Sequence, residues 1–206
     1  LYAPMRACLP ARPEVASVDL MLDYAKVVYK KRLPPLTGRD EDELRQHHYV
    51  MQPEDAVEML NAMEEYGIKP EYELFGLYGI KMLRRVLQLK EVPGPHWGSI
   101  LFGGNGLTPS VTSLIEASQL LPRDAMLNII GIGAPQIPMI TAGLLLGHNV
   151  RVGLEDNCFY SKGRLLKDNA EMVERAVRIA REIGRPVATP AQAREMMGLG
   201  APRSYT

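Results

Sequence analysis

Short apolar runs that alternate with segments of helical periodicity constrain the fold of this 206-residue chain more than any other feature. The runs are rich in apolar and β-branched residues, which predicts strands. They cover residues 15–21, 72–75, 97–102, 126–130 and 150–154. Strands that alternate with helices are typical of βαβ units, which build parallel sheets. The sequence therefore predicts an α/β fold around a parallel sheet of five strands.

The segments between these runs carry apolar residues at three- and four-residue intervals, as amphipathic helices do. The clearest is 169–183, which has an apolar stripe on one face and charges on the other and is followed by Gly184. Thr108 and Thr189 each precede a proline, and a capping hydroxyl followed by a proline marks a helix start. We predict helices at about residues 56–66, 78–89, 109–121, 134–147, 169–183 and 190–197.

One long polar segment, residues 23–52, interrupts the pattern after the first predicted strand. It contains a basic run at 30–32, two prolines at 34–35 and an acidic run at 40–43. Such a composition is typical of a solvated excursion from the core. We therefore interpret residues 1–206 as one partial domain with a polar insert at about 23–52.

The balance of charge excludes some classes of partner. Lys and Arg together number 24, as do Asp and Glu, so the chain lacks the basic footprint of a protein that binds nucleic acid or an anionic membrane. Small molecules are the expected partners. The two cysteines, Cys8 and Cys158, lack metal-site spacing and fit a reducing compartment, and no signal peptide is recognisable, so we predict a cytoplasmic protein.

Residues 125–147 carry no charge and approach the length of a membrane span. Asn128, Pro135, Gln136, Pro138 and several glycines interrupt the segment. A strand, a turn and a short helix accommodate these residues better than a membrane helix does. We therefore predict a buried βα unit and no membrane partner.

The last predicted strand leads into the sequence RVGLEDN at residues 151–157. If the strand alternates through this run, Arg151 and Glu155 share one face and Asp156 lies on the other. Charges at the end of a buried strand are costly unless they are paired or bind a metal or a ligand. We expect both carboxylates to face a cavity at the mouth of the sheet, and the alternative is an ion pair on the surface.

Several separate motifs accompany this run in a fixed order. They are RPEVASVD at 12–19, GIKPEYELF at 67–75, GIGAPQIP at 131–138, RVGLEDN at 151–157, Gly163, NAEMV at 169–173 and VATPAQAR at 187–194. In this order they resemble the later part of the β-keto acid cleavage enzyme family, whose founding activity is 3-keto-5-aminohexanoate cleavage.

The resemblance implies a zinc-dependent (β/α)8 barrel of the TIM type, an acyltransferase that converts a β-keto acid and acetyl-CoA to acetoacetate and a new CoA thioester. The five predicted strands then correspond to the fourth to eighth strands, so about the last five β/α units are present. An open arc leaves two unpaired sheet edges. A further segment, a partner chain or a different closure must cover them, and we expect a homo-oligomer.

The resemblance also assigns roles to four residues. Glu155 corresponds to the family's single glutamate ligand of Zn²⁺, whose two histidine ligands lie on an early strand. Arg151 and Asp156 match the positions that orient the substrate and handle its proton. Ser17 corresponds to a hydroxyl that contacts the substrate at the end of the fourth strand.

The implied chemistry starts with zinc bound to the ketone and carboxylate oxygens of the β-keto acid, where it acts as a Lewis acid. Asp156 then removes a proton from the intervening carbon as general base. The enolate attacks acetyl-CoA before the carbon skeleton cleaves in a retro-Claisen step. Two alternatives stay open: a truncated, catalytically silent relative that acts as a binding or oligomer-forming module, and another metal-dependent aldolase-like barrel.

The remaining candidate residues have structural interpretations. His47 and His48 are adjacent in the insert, and neighbouring side chains point in different directions, so we interpret them as exposed loop residues. His96 and His148 precede strands, at the end opposite the usual active site of a barrel. The glycine-rich residues 103–106 form either a phosphate-binding loop or a tight strand-to-helix connection. Asn157 is predicted to bind the turn around it.

Overall fold

The computed structural model describes residues 3–204, with the side chains of 3–5, 23–25 and 47 outside the described set. In chain order, its strands are β1 (Val15–Leu20), β2 (Leu22–Tyr29), β3 (Glu43–Val50), β4 (Lys69–Leu74), β5 (His96–Phe102), β6 (Ala125–Gly131), β7 (Asn149–Arg151), β8 (Phe159–Ser161) and β9 (Arg164–Leu165). The helices are α1 (Ala3–Cys8), a short 3₁₀ turn (Leu9–Ala11), α2 (Pro53–Glu65), α3 (Gly76–Leu89), α4 (Val111–Leu120), α5 (Gln136–Leu145), α6 (Asn169–Glu182) and α7 (Pro190–Met196).

The centre of the molecule is a five-stranded sheet in the order β1-β4-β5-β6-β7, with parallel neighbours throughout. Strands that follow one another in space as in sequence, with right-handed crossovers, place their connecting helices on one face of the sheet. This arrangement confirms the predicted α/β fold and its five-stranded parallel sheet. It is consistent with part of a (β/α)8 barrel.

The face of the sheet that meets the helices is apolar. Alternate strand residues are buried there, and they form one cluster with side chains from α2, α3, α4 and α5. The strand members are Val18, Leu20, Tyr72, Leu74, Ile100, Phe102, Leu127 and Ile129. Gly79 of α3 allows a close approach, because a Cβ on this residue would lie 2.5 Å from the carbonyl oxygen of Leu20.

The opposite face of the sheet is polar near its centre. Its side chains come from the other set of alternate positions, and we call it the polar face. Its members are Ser17 and Asp19 on β1, Glu71 and Glu73 on β4, Ser99 on β5, Asn128 on β6 and Arg151 on β7. Such polar groups within a parallel sheet require mutual pairing or a ligand.

The insert at 23–52 forms an antiparallel hairpin of β2 and β3, paired from Leu22 with Val50 to Tyr29 with Glu43. Its apolar side chains are largely exposed, and Leu22 and Leu44 are each more than half exposed. The segment is therefore largely exposed to solvent, with regular strand pairing. His48 lies on β3 and is exposed, so the interpretation of a loop histidine is wrong in its secondary structure, while the side chain of His47 lies outside the described set.

Several predicted boundaries are wrong. Strand β4 begins at Lys69, three residues before its predicted start. Helix α4 begins at Val111 and is capped by Ser110, whose hydroxyl accepts from the backbone N–H of Ser113, so Thr108 is not its cap. Strand β7 ends at Arg151 and does not reach residue 154. In contrast, Asp168 caps α6 and Thr189 caps α7, and these two helices lie where they were predicted.

The uncharged segment 125–147 forms β6 and α5, as expected of a βα unit. Within residues 3–204, no helix combines the length and the apolar character that a membrane crossing needs.

Candidate active site

A turn, in place of further strand, carries the RVGLEDN sequence after β7. Gly153 has a φ of +155°, and the N–H of Asn157 donates to the carbonyl oxygen of Gly153 at 3.0 Å. The N–H of Leu154 donates to the side chain of Asn169 at the start of α6, at 2.8 Å. These bonds turn the chain back toward the sheet, so the predicted strand alternation through residue 156 is wrong.

The turn brings Asp156 against Arg151 in a double hydrogen bond. Nε of Arg151 donates to one carboxylate oxygen at 3.2 Å, and a terminal nitrogen donates to the other at 3.1 Å. The side chain of Asp156 is only 3% exposed, and its backbone carbonyl accepts from the N–H of Gly133 at 2.7 Å. The carboxylate of Asp156 is therefore fixed by Arg151 and shielded from water.

Arg151 also binds two further carboxylates. Its second terminal nitrogen donates to Glu73 of β4 at 3.2 Å, and the nitrogen that contacts Asp156 also donates to Glu155 at 2.6 Å. The side chain of Glu155 is 84% exposed, whereas that of Glu73 is 16% exposed. The guanidinium of Arg151 thus binds the buried Asp156, the largely buried Glu73 and the solvent-facing Glu155.

Burial raises the pKa values of three acids near Arg151. Burial, reinforced by the charge of Asp19, raises the pKa of Glu73 to about 7 in spite of Arg151. Burial also raises the pKa of Asp156 and that of Asp19, and Arg151 opposes both shifts only in part. The pKa of Arg151 is raised because Asp156 and Glu73 outweigh its burial. Glu73 can therefore exchange a proton near neutral pH.

A second polar group lies on the same face. The hydroxyl of Ser99 donates to the carboxylate of Glu71 at 2.5 Å. The amide of Asn128 donates to the same oxygen at 3.4 Å and to the hydroxyl of Ser99 at 3.3 Å. Ser99 and Asn128 are buried, so this network holds Glu71 in one orientation.

An open groove of about 860 Å³ connects the two groups. Its walls include Glu71, Trp97, Asn128 and Arg151 from the sheet and Val177 from α6. Neither Glu155 nor Asp156 lines it. The expectation that both carboxylates face a common cavity is therefore wrong: Arg151 reaches the groove, Asp156 is buried behind it, and Glu155 faces solvent.

Of the other candidate residues, Ser17 lies beside the second polar group, whereas the two histidines lie apart from the site. Ser17 is on the polar face but in the middle of β1, paired in register with Glu71, so the prediction that it ends its strand is wrong. His96 begins β5, and His148 precedes β7 and contacts the hydroxyl of Ser118 at 3.0 Å. Both histidines lie at the amino ends of strands, as predicted.

The glycine-rich residues 103–106 form a tight connection. The N–H groups of Gly103, Gly106 and Leu107 all donate to carbonyl oxygens within or next to the loop. These donors are therefore not directed at a phosphate, which favours the structural interpretation. Asn157 bonds both the N–H and the carbonyl of Phe159, at 3.0 and 2.8 Å, as predicted for a turn residue.

A catalytic zinc site with protein ligands requires three of them and an open position. Residues 3–204, as far as their side chains are described, contain no group of three or more His, Cys, Asp or Glu side chains placed to hold a metal ion. Glu155 offers one exposed carboxylate, which is paired with Arg151. The residues described here do not form a zinc site by themselves.

Sequence reasoning missed Glu71, Ser99 and Asn128 as parts of the site, and Glu73 entered it only as part of the GIKPEYELF motif. The available signal was local: Glu71 and Glu73 flank the buried Tyr72 in a strand. Two carboxylates at alternate positions of a core strand mark a polar face that needs partners.

Comparison with known proteins finds related sequences over most of the chain. A family model for beta-keto acid cleavage enzymes matches residues 2–199. The chain is 36% identical over 138 residues to the 3-keto-5-aminohexanoate cleavage enzyme of Acetoanaerobium sticklandii, covering 66% of this chain and 50% of that protein. It is 37% identical over 136 residues to the enzyme of the same name from Fusobacterium nucleatum, covering 66% and 49%.

A third relative is named for a different activity. The chain is 36% identical over 152 residues to the 3-oxoadipate:acetyl-CoA acetyltransferase of Cupriavidus necator, covering 71% of this chain and 54% of that protein. The chain therefore spans about half the length of the curated relatives it matches.

Proposed function

Because the chain belongs to the beta-keto acid cleavage enzyme family, we propose that it forms the part of an enzyme that contains the Arg151 site. This enzyme transfers an acetyl group between CoA and a β-keto acid. The products are acetoacetate and a new CoA thioester. The names of two relatives support an acetyl-CoA-dependent reaction, since they are a 3-oxoadipate:acetyl-CoA acetyltransferase and a 3,5-dioxohexanoate:acetyl-CoA acetone transferase.

The observation that carries the proposal is the pairing of Arg151, which lines the groove, with Asp156 buried behind it. Each carboxylate oxygen has two acceptor positions, and Arg151 occupies one on each oxygen of Asp156. The carboxylate therefore keeps acceptor capacity while its orientation is held. Burial raises the pKa of Asp156, which makes it a stronger base than a solvated carboxylate.

In the proposed reaction, Asp156 takes a proton from the carbon between the ketone and the carboxylate of the substrate. The resulting enolate carbon attacks the carbonyl of acetyl-CoA and releases the CoA thiolate. The thiolate then adds to the ketone of the substrate, and the bond between the ketone carbon and the former enolate carbon breaks. The new CoA thioester leaves, and Asp156 returns its proton to the second enolate, which becomes acetoacetate.

Arg151 and Ser17 complete the assignment. Arg151 lines the groove and binds Asp156. We therefore propose that it orients both the base and an anionic substrate. Ser17 is proposed as a substrate contact from the polar face of β1. Zinc dependence is also a proposal: Glu155 would supply one ligand, and a complete site needs ligands beyond the residues described here.

The larger assembly is proposed on the same basis. A (β/α)8 barrel of which this chain forms about the last five units would extend the sheet beyond β1 and β7, which have no further strand partner within residues 3–204. Unpaired edges favour association, so we propose a homo-oligomer, and light scattering of the purified chain measures its mass. A cytoplasmic location stays a prediction.

A second candidate is a catalytically silent relative that acts as a binding or oligomer-forming module. The exposure of Glu155 and the lack of a three-ligand cluster among the described side chains favour it. The two candidates differ in one experiment. Acetoacetate release from acetyl-CoA and a β-keto acid such as 3-oxoadipate, measured with the purified chain together with its zinc content, supports the enzyme. The absence of both contradicts it, and turnover that does not depend on CoA indicates an aldolase-like reaction instead.

A further inference from the structure

Three arginines converge on one tyrosine in the loop that follows the candidate site. The guanidinium of Arg164 lies over the ring of Tyr160 at 4.1 Å, and that of Arg175 lies over the same ring at 4.4 Å. Arg178 donates to the Tyr160 hydroxyl at 3.2 Å, and Arg175 donates to the Tyr160 carbonyl. The arginines of strand β9 and helix α6 thus all contact Tyr160, which lies on strand β8 of the β8–β9 hairpin. We call Tyr160, Arg164, Arg175 and Arg178 the arginine cluster.

The cluster has more positive charge than its carboxylates neutralise. Residues 160–178 contain five Lys and Arg and three Asp and Glu, although the whole chain has a net charge of zero. Asp168 is used to cap α6, and Glu171 binds Arg164. Within the described part of the chain, no carboxylate pairs with Arg175 or Arg178. Two oriented guanidinium groups therefore retain donors for an anion.

The position of the cluster places it at the same end of the sheet as Arg151. Tyr160 lies four residues beyond Asp156, and four residues span at most about 14 Å between Cα atoms. The hydrogen bond between Leu154 and Asn169 fixes the loop to the start of α6. In (β/α)8 barrels, the loops after the last two strands commonly bind phosphate groups, and this loop follows the last strand of the parallel sheet.

We propose that the arginine cluster binds the phosphate groups of acetyl-CoA. This inference rests on the proposed function, since it assigns the nucleotide end of the same co-substrate. In this arrangement the thioester would lie at the groove beside Arg151, and the flexible pantetheine arm would connect it to the loop. Planar guanidinium groups fixed by stacking on a ring match the geometry of phosphate oxygens.

The test compares ligands with and without phosphates. Isothermal titration of the purified chain with acetyl-CoA and with S-acetylpantetheine, which lacks the nucleotide, gives the Kd of each. Arg178→Gln removes an exposed guanidinium from the cluster, and Arg181→Gln removes the same charge from the exposed surface of α6 outside it. We expect Arg178→Gln to raise the Kd for acetyl-CoA at least about ten-fold, the effect of one charged hydrogen bond. Arg181→Gln and the Kd for S-acetylpantetheine should change less than about two-fold on the same scale.

Tyr160→Phe provides a second variant, because it keeps the stacked ring and loses the hydroxyl that accepts from Arg178. It should weaken acetyl-CoA binding less than Arg178→Gln does, with the melting temperatures of all variants showing that they fold. Three results would overturn the assignment: no acetyl-CoA binding by the wild-type chain, equal acetyl-CoA affinity in the Arg178 variant, or equal weakening by the Arg181 variant. ADP binding as tight as that of acetyl-CoA would reveal a general nucleotide site. The proposed reaction fails separately, if acetyl-CoA binds through the cluster but no acetoacetate is formed.

Discussion

Asp156 accepts two hydrogen bonds from Arg151, five residues earlier in the chain, although a continued strand would place the two side chains on opposite faces. The turn at Gly153 produces this contact. It also separates Asp156 from its neighbour Glu155, which binds the same guanidinium from the solvent side. Two adjacent carboxylates thus share a partner and differ in burial, which makes them distinguishable by experiment.

Stability should distinguish the two carboxylates. Asp156→Asn leaves Arg151 beside an amide that donates as well as accepts, in a site shielded from water, so we expect a loss of about 2 to 4 kcal/mol in the free energy of unfolding. Glu155→Gln breaks a solvent-facing pair and should cost less than about 1 kcal/mol. Urea unfolding monitored by circular dichroism measures both. Equal losses in the two variants would contradict the assigned burial.

Turnover should depend on Asp156. If the purified protein releases acetoacetate, Asp156→Asn should lower the rate by about 10²- to 10⁴-fold, the contribution of a general base. Asp40→Asn, in the exposed turn of the insert, is the matched control and should retain the wild-type rate. A rate in the Asp156 variant equal to that of the control would exclude Asp156 as the base.

Metal content should depend on the other carboxylate. If protein purified from zinc-supplemented cells contains zinc, Glu155→Gln should lower that content, because the amide is a poorer ligand than a carboxylate for this ion. Asp156→Asn should leave the zinc content unchanged. Atomic absorption measures both, and an unchanged content in the Glu155 variant would move the ligand to another residue.

The pH dependence of stability should report on Glu73. Burial raises its pKa from an ordinary 4.5 to about 7, so the folded state binds this proton more tightly than the unfolded state. Stability is then greatest below the unfolded pKa and declines as the pH rises through the folded pKa. The shift corresponds to at most about 3 kcal/mol.

Glu73→Gln should remove much of this decline. Urea unfolding at pH 5 and pH 8 should show a smaller difference in the variant than in the wild type. The raised pKa values of Asp19 and Asp156 are common to both proteins, so the difference between wild type and variant reports on Glu73. Glu41→Gln, at an exposed site in the insert, serves as the control, and an identical slope in wild type and Glu73→Gln would contradict the role of Glu73.

Close packing predicts that alanine at residue 79 destabilises the protein, the opposite of its usual effect in a helix. Alanine normally stabilises a helix relative to glycine by about 1 kcal/mol. A Cβ on Gly79 would instead lie 2.5 Å from the carbonyl oxygen of Leu20 and 3.1 Å from Cα of Leu74. Gly79→Ala should therefore destabilise the protein by about 1 to 3 kcal/mol. Gly200→Ala, where a Cβ meets nothing within 4 Å, should be close to neutral, and similar melting temperatures for both variants would argue against the close packing of α3 on β1.

The five sheet strands and most of the helices could be predicted from the sequence, because burial on one face imposes a period of two on strands and of about 3.6 on helices. Helix caps depend on local chemistry. The sequence predicted the cap Thr189, whereas the cap Asp168 was found only in the structure. The hairpin of the insert was not predicted, because its strands bury little, and their pairing stabilises a segment whose composition resembles a loop.

For the candidate site too, the sequence predicted some features and only the structure showed the others. The sequence alone identified Arg151, Glu155 and Asp156 as its charged run, since charges after a buried strand require partners. Only the tertiary structure decided which carboxylate is buried and that Glu73, 78 residues earlier, completes the cluster around Arg151. The reason is physical: periodicity reports how a segment meets its own surroundings, whereas a turn's direction and a contact between distant strands depend on register and burial that no local pattern contains.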